Sequence, residues 1–150
     1  MMLALAQRIV DGAGDAVIFA DGEGTIRLWN AAAERVFGYT AAEAVGRSLD
    51  LIVPEKHRPR HWEGYARVMR TGVTKYGGEL LAVPAIRRDG SRISIEFTVT
   101  LVRDDDGAVQ GIAAIVRDVS ARREADTRLR RRVQELEQLA TGGGGDPGQA

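Results

Sequence analysis

The chain has 150 residues, of which 44% are hydrophobic and 28% are charged, enough apolar material for one compact domain with short extensions. Lysine plus arginine equals aspartate plus glutamate at 21 each, so the balance gives no general attraction to nucleic acid or anionic membranes. The absence of cysteine excludes disulfides, thiolate metal sites, cysteine nucleophiles and flavin–cysteinyl adducts. No signal peptide is evident, and no run approaches the roughly 20 apolar residues of a membrane helix. We therefore expect a cytoplasmic protein.

The start of the chain predicts a helix followed by a β-hairpin. Apolar residues recur at helical spacing over residues 2–10, and Gly12 ends that segment. A short apolar run, 16–20, is followed by the Gly-rich turn 21–24 and by the alternating residues 25–29. This pattern indicates two strands paired around a tight turn.

Helices are predicted next. Asn30 is a favourable N-cap for a helix that Gly38 ends, because its side-chain oxygen can accept a free backbone N–H. Thr40 and Glu43 have the spacing of a capping box, in which each side chain accepts the other residue's backbone N–H. After an apolar connector, a longer helix is predicted over residues 54–70, with Pro59 delaying its regular start.

The second half of the chain predicts three antiparallel strands, at 79–86, 92–101 and 109–116. Asp89-Gly90 and the run 104–107 supply the turns between them. In the middle strand apolar residues alternate with polar ones, which predicts one buried and one exposed face. The order of elements indicates an α+β fold in which helices cover one face of a sheet.

Residues 117–140 predict a charged helix with a narrow apolar seam. Its apolar residues recur at spacings of three or four, as in a coiled coil, and they are Ala125, Leu129, Val133, Leu136 and Ala140. The arginine-rich segment 122–132 also contains acidic residues, so a solvated helix face is favoured over a nucleic-acid surface. Since Glu135 and Glu137 come late, the segregated charge favours antiparallel or staggered pairing of two such helices.

Several local motifs, in this order, resemble those of the PAS domain family. Ile26–Asn30 followed by Ala31–Tyr39 is similar to the strand-to-helix passage of that family, and Thr40–Gly46 is similar to its next segment. Arg87–Gly90 resembles the hairpin between the first two strands of the three-stranded half. Val116–Ser120 resembles the exit at which the sheet leads into a signalling helix.

The resemblance implies an α+β PAS fold with a five-stranded antiparallel sheet in the order 2-1-5-4-3 and short helices on one face around a small pocket. It also implies that Glu34 pairs with Arg87 or Arg88 of the later hairpin; the alternative is a weak surface contact. The predicted organisation is an N-terminal amphipathic helix at 1–12, a PAS core at 13–117, a C-terminal signalling and coiled-coil helix at 118–140 and a disordered Gly-rich tail at 141–150.

Both histidines, His57 and His61, lie on the longer predicted helix, and their spacing of four places them on one face. A neutral imidazole there can ligate heme iron. The oxygen-sensing PAS domains of rhizobial histidine kinases, which this chain partly resembles, carry their heme histidine on the matching helix, in a motif similar to Arg58–His61. The resemblance therefore implies His61 as a candidate axial ligand of heme iron.

The sequence departs from that heme motif in two places. Tyr65 follows His61 by four residues where the family has three, and alignment on Tyr65 puts Trp62 at the ligand position. The family also places an oxygen-holding arginine on the next strand, whereas residues 76–83 contain none. A boundary histidine bonded to backbone or water is the alternative for His61, and a surface metal site with His57 lacks a third ligand.

Apolar residues of this helix and of the strands are the candidate lining of a pocket for a small organic ligand, with ordinary core packing as the alternative. They are Trp62, Tyr65, Met69, Leu80, Ile95, Phe97 and Ile112. No phosphate-binding loop and no catalytic constellation is recognisable, so an enzyme is not expected.

The sequence therefore predicts a PAS sensor or dimerisation module of signal transduction, as in two-component systems, that passes a pocket or interface signal to a C-terminal helix. We expect a homodimer formed through the N-terminal and C-terminal helices, with no nucleic-acid or membrane partner. A heme-based gas or redox sensor and a ligand-free dimerisation module are the alternatives.

Overall fold

The structure is a computed structural model that describes residues 1–75 and 78–142. Its elements are α1 Met2–Gly12, β1 Ala16–Asp21, β2 Ile26–Trp29, α2 Ala31–Phe37, α3 Ala41–Ala44, α4 Arg58–Thr71, β3 Leu81–Ile86, β4 Arg92–Arg103, β5 Val109–Asp118 and α5 Ser120–Gly142. Two short 3-10 turns, Leu49–Leu51 and Glu55–His57, precede α4. The chain divides into two compact units, one holding Met1–Asp118 and the other beginning at Val119.

The five strands form one antiparallel sheet in the order β2-β1-β5-β4-β3, as predicted. β1 lies between its hairpin partner β2 and the last strand β5, so the first and last strands of the chain are neighbours. β5 also pairs with β4, which pairs with β3. The strand that leads out to α5 is therefore the middle strand of the sheet.

The core lies between one face of the sheet, called the inner face below, and the helices α2 and α3. Ile18 of β1, Ile26 of β2 and Phe37 of α2 are almost completely buried. Trp29 packs against Phe37 with ring centroids 5.5 Å apart. Burial of each such large side chain contributes roughly 1.5–3 kcal/mol, so this cluster is a main source of stability.

A single buried side chain, Asn30, joins three elements at one end of the sheet. Its amide nitrogen donates to the carbonyl oxygens of Val10 and Asp15, at 2.8 and 3.1 Å. Its Oδ1 accepts the backbone N–H groups of Val17 and Ala33, at 2.9 and 3.0 Å. The predicted N-cap role is confirmed, and the same side chain also holds the end of α1 and the start of β1.

The local capping predictions are confirmed at α3, but the predicted ion pair of Glu34 is wrong. Thr40 and Glu43 form the expected capping box. The Glu34 carboxylate instead accepts the Ala41 N–H at 2.7 Å, a free donor of the first turn of α3. Arg88 pairs with Glu43. The Glu34 carboxylate is therefore bonded to the start of α3 and not to an arginine of the β3–β4 hairpin.

Element boundaries differ from the predicted ones by a few residues. β4 and β5 are longer than predicted because their pairing continues from Ile95↔Asp118 to Arg103↔Val109. α4 begins only at Arg58, with Pro59 in its first turn, in agreement with the predicted delay of the helix start. α5 includes Thr141 and Gly142, and the rest of the predicted Gly-rich tail lies outside the described residues. None of the helices described is both long enough and apolar enough to cross a membrane.

Candidate functional site

The aromatic face of α4 packs against the β1–β2 turn. The buried Tyr65 hydroxyl donates to backbone oxygens at the end of β1, with the Ala20 oxygen at 3.2 Å and the Asp21 oxygen also in reach. Burial, with the nearby Asp21 charge, raises the pKa of Tyr65 to about 12, so the phenol keeps the proton that it donates. Tyr65 therefore fixes α4 to the end of β1.

Trp62 adds a second attachment of α4, one turn earlier. Its Nε1–H donates to the Asp50 carboxylate at 2.7 Å. Its ring lies so close to Gly24 that a Cβ on that glycine would come within 2.1 Å of a ring carbon, and the φ of +80° there also favours glycine. The sulfur of Met69 lies 3.7 Å from the place that a Cβ on Gly22 would take.

His61 lies in the same aromatic cluster. Its ring centroid is 4.7 Å from that of Trp62 and 5.9 Å from that of Tyr65. Its Nδ1 is buried and has no hydrogen-bond partner. Burial lowers the pKa of His61 below its usual value, against a smaller opposing effect of the Asp50 carboxylate. The structure thus favours a neutral imidazole at this position.

The surroundings of His61 match those of a heme ligand in part. A neutral, desolvated imidazole is the form that binds iron. An axial histidine usually also donates its second ring N–H to a carbonyl or carboxylate oxygen, and the buried Nδ1 of His61 has no such acceptor. Trp62, which the alignment on Tyr65 puts at the position of the heme ligand, packs its ring against Gly24. No group of three metal-ligating side chains occurs within residues 1–75 and 78–142.

The remaining predicted lining residues separate into two sets. Ile95, Phe97 and Ile112 lie on the inner face, because each pairs with a residue on that face or alternates with one that does. Ile95 is buried, whereas Phe97 and Ile112 are partly buried. Leu80 precedes β3 and is exposed. The strand residues are thus collected on one face, while the α4 residues contact the β1–β2 turn.

Burial on the inner face changes along β3 and β4. Ala85 and Ile95 are 2% and 5% exposed, whereas Val83, nearer the start of β3, is 38% exposed. Towards the end of β4, Val99 and Leu101 are only partly buried. This half of the inner face therefore presents apolar surface that the described helices cover incompletely, the kind of surface that receives an apolar small molecule.

Each of the last two residues of β5 is held by an ion pair to another segment of the unit. Arg117 makes a two-pronged pair with Asp15, just after α1, with both N···O distances at 3.0 Å. Asp118 pairs with Arg87 of the β3–β4 hairpin at 2.8 Å. The predicted exit segment is therefore the point at which the N-terminal segment and the hairpin both contact the strand that leads to α5.

Sequence reasoning missed Asp50 and a cleft beside it. The cleft has a volume of about 410 Å³ and is lined by Tyr39, Arg47, Ser48, Asp50, Leu51, Arg58 and Ile86. Arg58 donates to the carbonyl oxygens of Val53 and Asp50, which fixes one wall. Nothing in the local sequence signals this site, because an acid in an apolar connector is unremarkable until its distant partner Trp62 is known.

Lowering the pH should weaken the fold through His61. Burial lowers the pKa of His61 in the folded chain below the usual value near 6.5, which the unfolded chain keeps. As the pH falls through 6.5, the unfolded chain therefore takes up more protons than the folded chain, and the free energy of unfolding falls. Urea unfolding at pH 7.5 and pH 5.5 measures the loss. It should be smaller in His61→Gln, with His57→Gln as the matched control. An equal loss in wild type and His61→Gln would contradict this assignment.

Comparison with known proteins places this geometry in a family. A sequence profile described as the PAS fold matches residues 10–124. The chain is 31% identical over 122 residues to the sensor protein FixL of Bradyrhizobium diazoefficiens, covering 81% of this chain and 24% of FixL. It is 27% identical over 114 residues to the oxygen sensor protein DosP of Escherichia coli, covering 76% of this chain and 14% of DosP.

A solved structure agrees at the level of the fold. The PAS domain of a protein from Colwellia psychrerythraea superposes with a TM-score of 0.70 at 19% identity, covering 81% of this chain and 99% of that one. The chain spans about a quarter or less of the length of the curated relatives that it matches. The family profile matches most of the length of this chain, and the sheet has the strand order of that fold. The chain therefore belongs to the PAS family.

Proposed function

We propose that this chain is a cytoplasmic PAS sensor module of signal transduction, in which a change on the inner face is passed through β5 to α5. The observation that carries the proposal is the pair of ion pairs at the end of β5, Arg117 with Asp15 and Asp118 with Arg87. α5 begins two residues later, at Ser120. Because β5 is the middle strand, a shift of its neighbours acts on the residues that lead into α5.

The stimulus in this proposal is a small apolar ligand on the incompletely covered half of the inner face. Phe97, Val99 and Leu101 of β4 present partly buried side chains there. A ligand that binds one arrangement of the sheet better than another shifts the population between them. The proposed role is regulatory, and no residue is assigned a catalytic step.

The proposed assembly is a homodimer, in which α1 and α5 contribute apolar surface. Met2, Leu3 and Ile9 of α1 are exposed, and no residue of this helix is buried. A helix of this length is marginal by itself in water. Contact with a second copy gives these side chains a partner. Without a ligand, the same surfaces support the alternative of a dimerisation module only.

Removing the guanidinium of Arg87 should loosen the start of α5. In Arg87→Gln the Asp118 carboxylate loses this ion pair, so the end of β5 is held less firmly to the β3–β4 hairpin and opens more often. Hydrogen–deuterium exchange measured by mass spectrometry should show faster exchange in residues 120–125, with a loss of stability of about 1 kcal/mol or less.

The matched control is Arg67→Gln, which removes the exposed Arg67–Glu63 pair within α4. Its exchange in residues 120–125 should equal that of wild type. If Arg87→Gln also leaves these residues unchanged while the hairpin loosens, the sheet does not pass its state to α5 and the proposal is wrong.

A heme-based sensor is the second candidate, favoured by the neutral, partly buried imidazole of His61. DosP, one of the relatives, is named as an oxygen sensor. Bound heme would supply gas or redox chemistry, with His61 as its axial ligand. Titration with hemin, followed by visible absorption, should give a sharp Soret band at one heme per chain that His61→Ala abolishes. Binding that is weak, or unchanged in His61→Ala, would eliminate this candidate.

A further inference from the structure

The cleft beside the 3-10 turn Leu49–Leu51 lies away from the inner face. One of its walls is Ile86, the last residue of β3. Ile86 follows Ala85, which is buried on the inner face, and successive side chains of a strand point to opposite faces. The other lining residues belong to the segment between α2 and the start of α4. The cleft is therefore a second cavity, separate from the incompletely covered half of the inner face.

Arg47 brings an unpaired positive charge to this cleft. Its backbone is fixed, because its N–H donates to the Ala44 oxygen at 3.0 Å and its own oxygen accepts the Ile26 N–H at 2.8 Å. Arg47 is exposed, and its guanidinium has no hydrogen-bond or ion-pair partner within residues 1–75 and 78–142. A free guanidinium on a fixed backbone can pair with an anion that enters the cleft.

Arg58, at the start of α4, adds a second guanidinium that is held in place. Its Nε and Nη2 groups donate to the carbonyl oxygens of Val53 and Asp50, at 3.1 and 3.2 Å. Its Nη1 group has no acceptor in the described part of the chain. Because two backbone bonds fix the plane of this guanidinium, its remaining N–H donors are oriented before a ligand arrives. A carboxylate accepts paired N–H bonds from such a group.

The charges of the cleft favour an anion over a cation. Asp50 is the one acidic residue among the described lining residues. Its carboxylate already accepts the Trp62 Nε1–H at 2.7 Å and lies 3.8 Å from the Arg58 Nε. Asp50 therefore offsets only one of the two guanidinium charges, and the cleft keeps an excess of positive charge.

The floor of the cleft is apolar, which indicates the chemistry of the rest of the ligand. Leu51 is buried and Ile86 is partly buried, and both line the cleft together with Tyr39. A small inorganic anion would leave this floor against water, whereas an apolar ligand body would cover it. We propose that the cleft binds a small organic carboxylate, whose charged end pairs with Arg47 and Arg58 and whose apolar body lies against the floor. The site uses neither the inner face nor β5, so it goes beyond the proposed function and is independent of it.

Probes that each lack one property test the chemistry of this ligand. 2-Naphthoate has a carboxylate and an apolar body, 2-naphthamide keeps the body without the charge, and acetate keeps the charge without the body. Calorimetric titration of the full chain should give 2-naphthoate a Kd at least about tenfold lower than that of either other probe, because each of those lacks one of the two contacts. Inorganic phosphate should bind no better than acetate.

Substitution of exposed arginines tests where the carboxylate binds. Arg47→Gln should raise the Kd for 2-naphthoate about tenfold, because a charge-assisted hydrogen bond is lost. Arg70→Gln is the matched control, since Arg70 is exposed at the other end of α4, has no partner among the described residues and does not line the cleft. Both variants should unfold at the wild-type temperature, because neither guanidinium bonds to the described part of the chain.

Amide NMR spectra of the full chain give the position of the ligand independently of affinity. Addition of 2-naphthoate should shift the amide signals of Ser48, Asp50 and Ile86, which line the cleft. The amide signals of Val99 and Leu101, on the inner face, should stay unchanged.

Several outcomes would overturn the proposal. Equal affinities for 2-naphthoate and 2-naphthamide would show that the cleft does not recognise an anion. Phosphate that binds as tightly as 2-naphthoate would make the cleft a site for inorganic anions. Shifts confined to the inner face, with the affinity unchanged in Arg47→Gln, would place the probe on the surface that the proposed function assigns to its stimulus. The lack of any binding at millimolar 2-naphthoate would show that the cleft is not a ligand site.

Discussion

The side-chain amide of Asn30 is the constraint on which the rest of the structure depends. It makes four hydrogen bonds, and they reach Val10, Asp15, Val17 and Ala33. A buried amide with both donors and its acceptor oxygen in use fixes the end of α1, the start of β1 and the first turn of α2 together. Asp15, one of the four, also holds Arg117 at the end of β5. One corner of the sheet thus connects α1 and the start of β1 with the end of β5.

Features that depend on neighbours in the chain were predictable from the sequence. The Asn30 cap and the Thr40–Glu43 capping box were predicted because each is complete within four residues. The alternation of apolar and polar residues along β4 predicted which of its residues lie on the inner face for the same reason. The sheet order is not local; it was predicted only because several short motifs occurred together in the order of a known family.

Partners distant in sequence were not predictable in this way. The sequence identified Trp62 and Tyr65 as candidate pocket lining, but it did not show which acceptors their polar atoms contact. Those acceptors are Asp50 and the end of β1, and they draw this face of α4 onto the β1–β2 turn. The predicted ion pair of Glu34 was wrong for a related reason, because its carboxylate accepts the Ala41 N–H and not a hairpin arginine.

The measurement that tests the central claim most directly is native-state hydrogen exchange on Asn30→Ala, with Asn30→Asp as the matched variant. Asn30→Asp keeps an acceptor for Val17 and Ala33 but loses the donors to Val10 and Asp15. The account predicts that Asn30→Ala lowers the free energy of unfolding by at least about 2 kcal/mol and speeds exchange in α1, β1 and α2 together, whereas Asn30→Asp mainly releases α1. A loss under about 0.5 kcal/mol, with exchange altered in α2 alone, would show that Asn30 is only a helix cap.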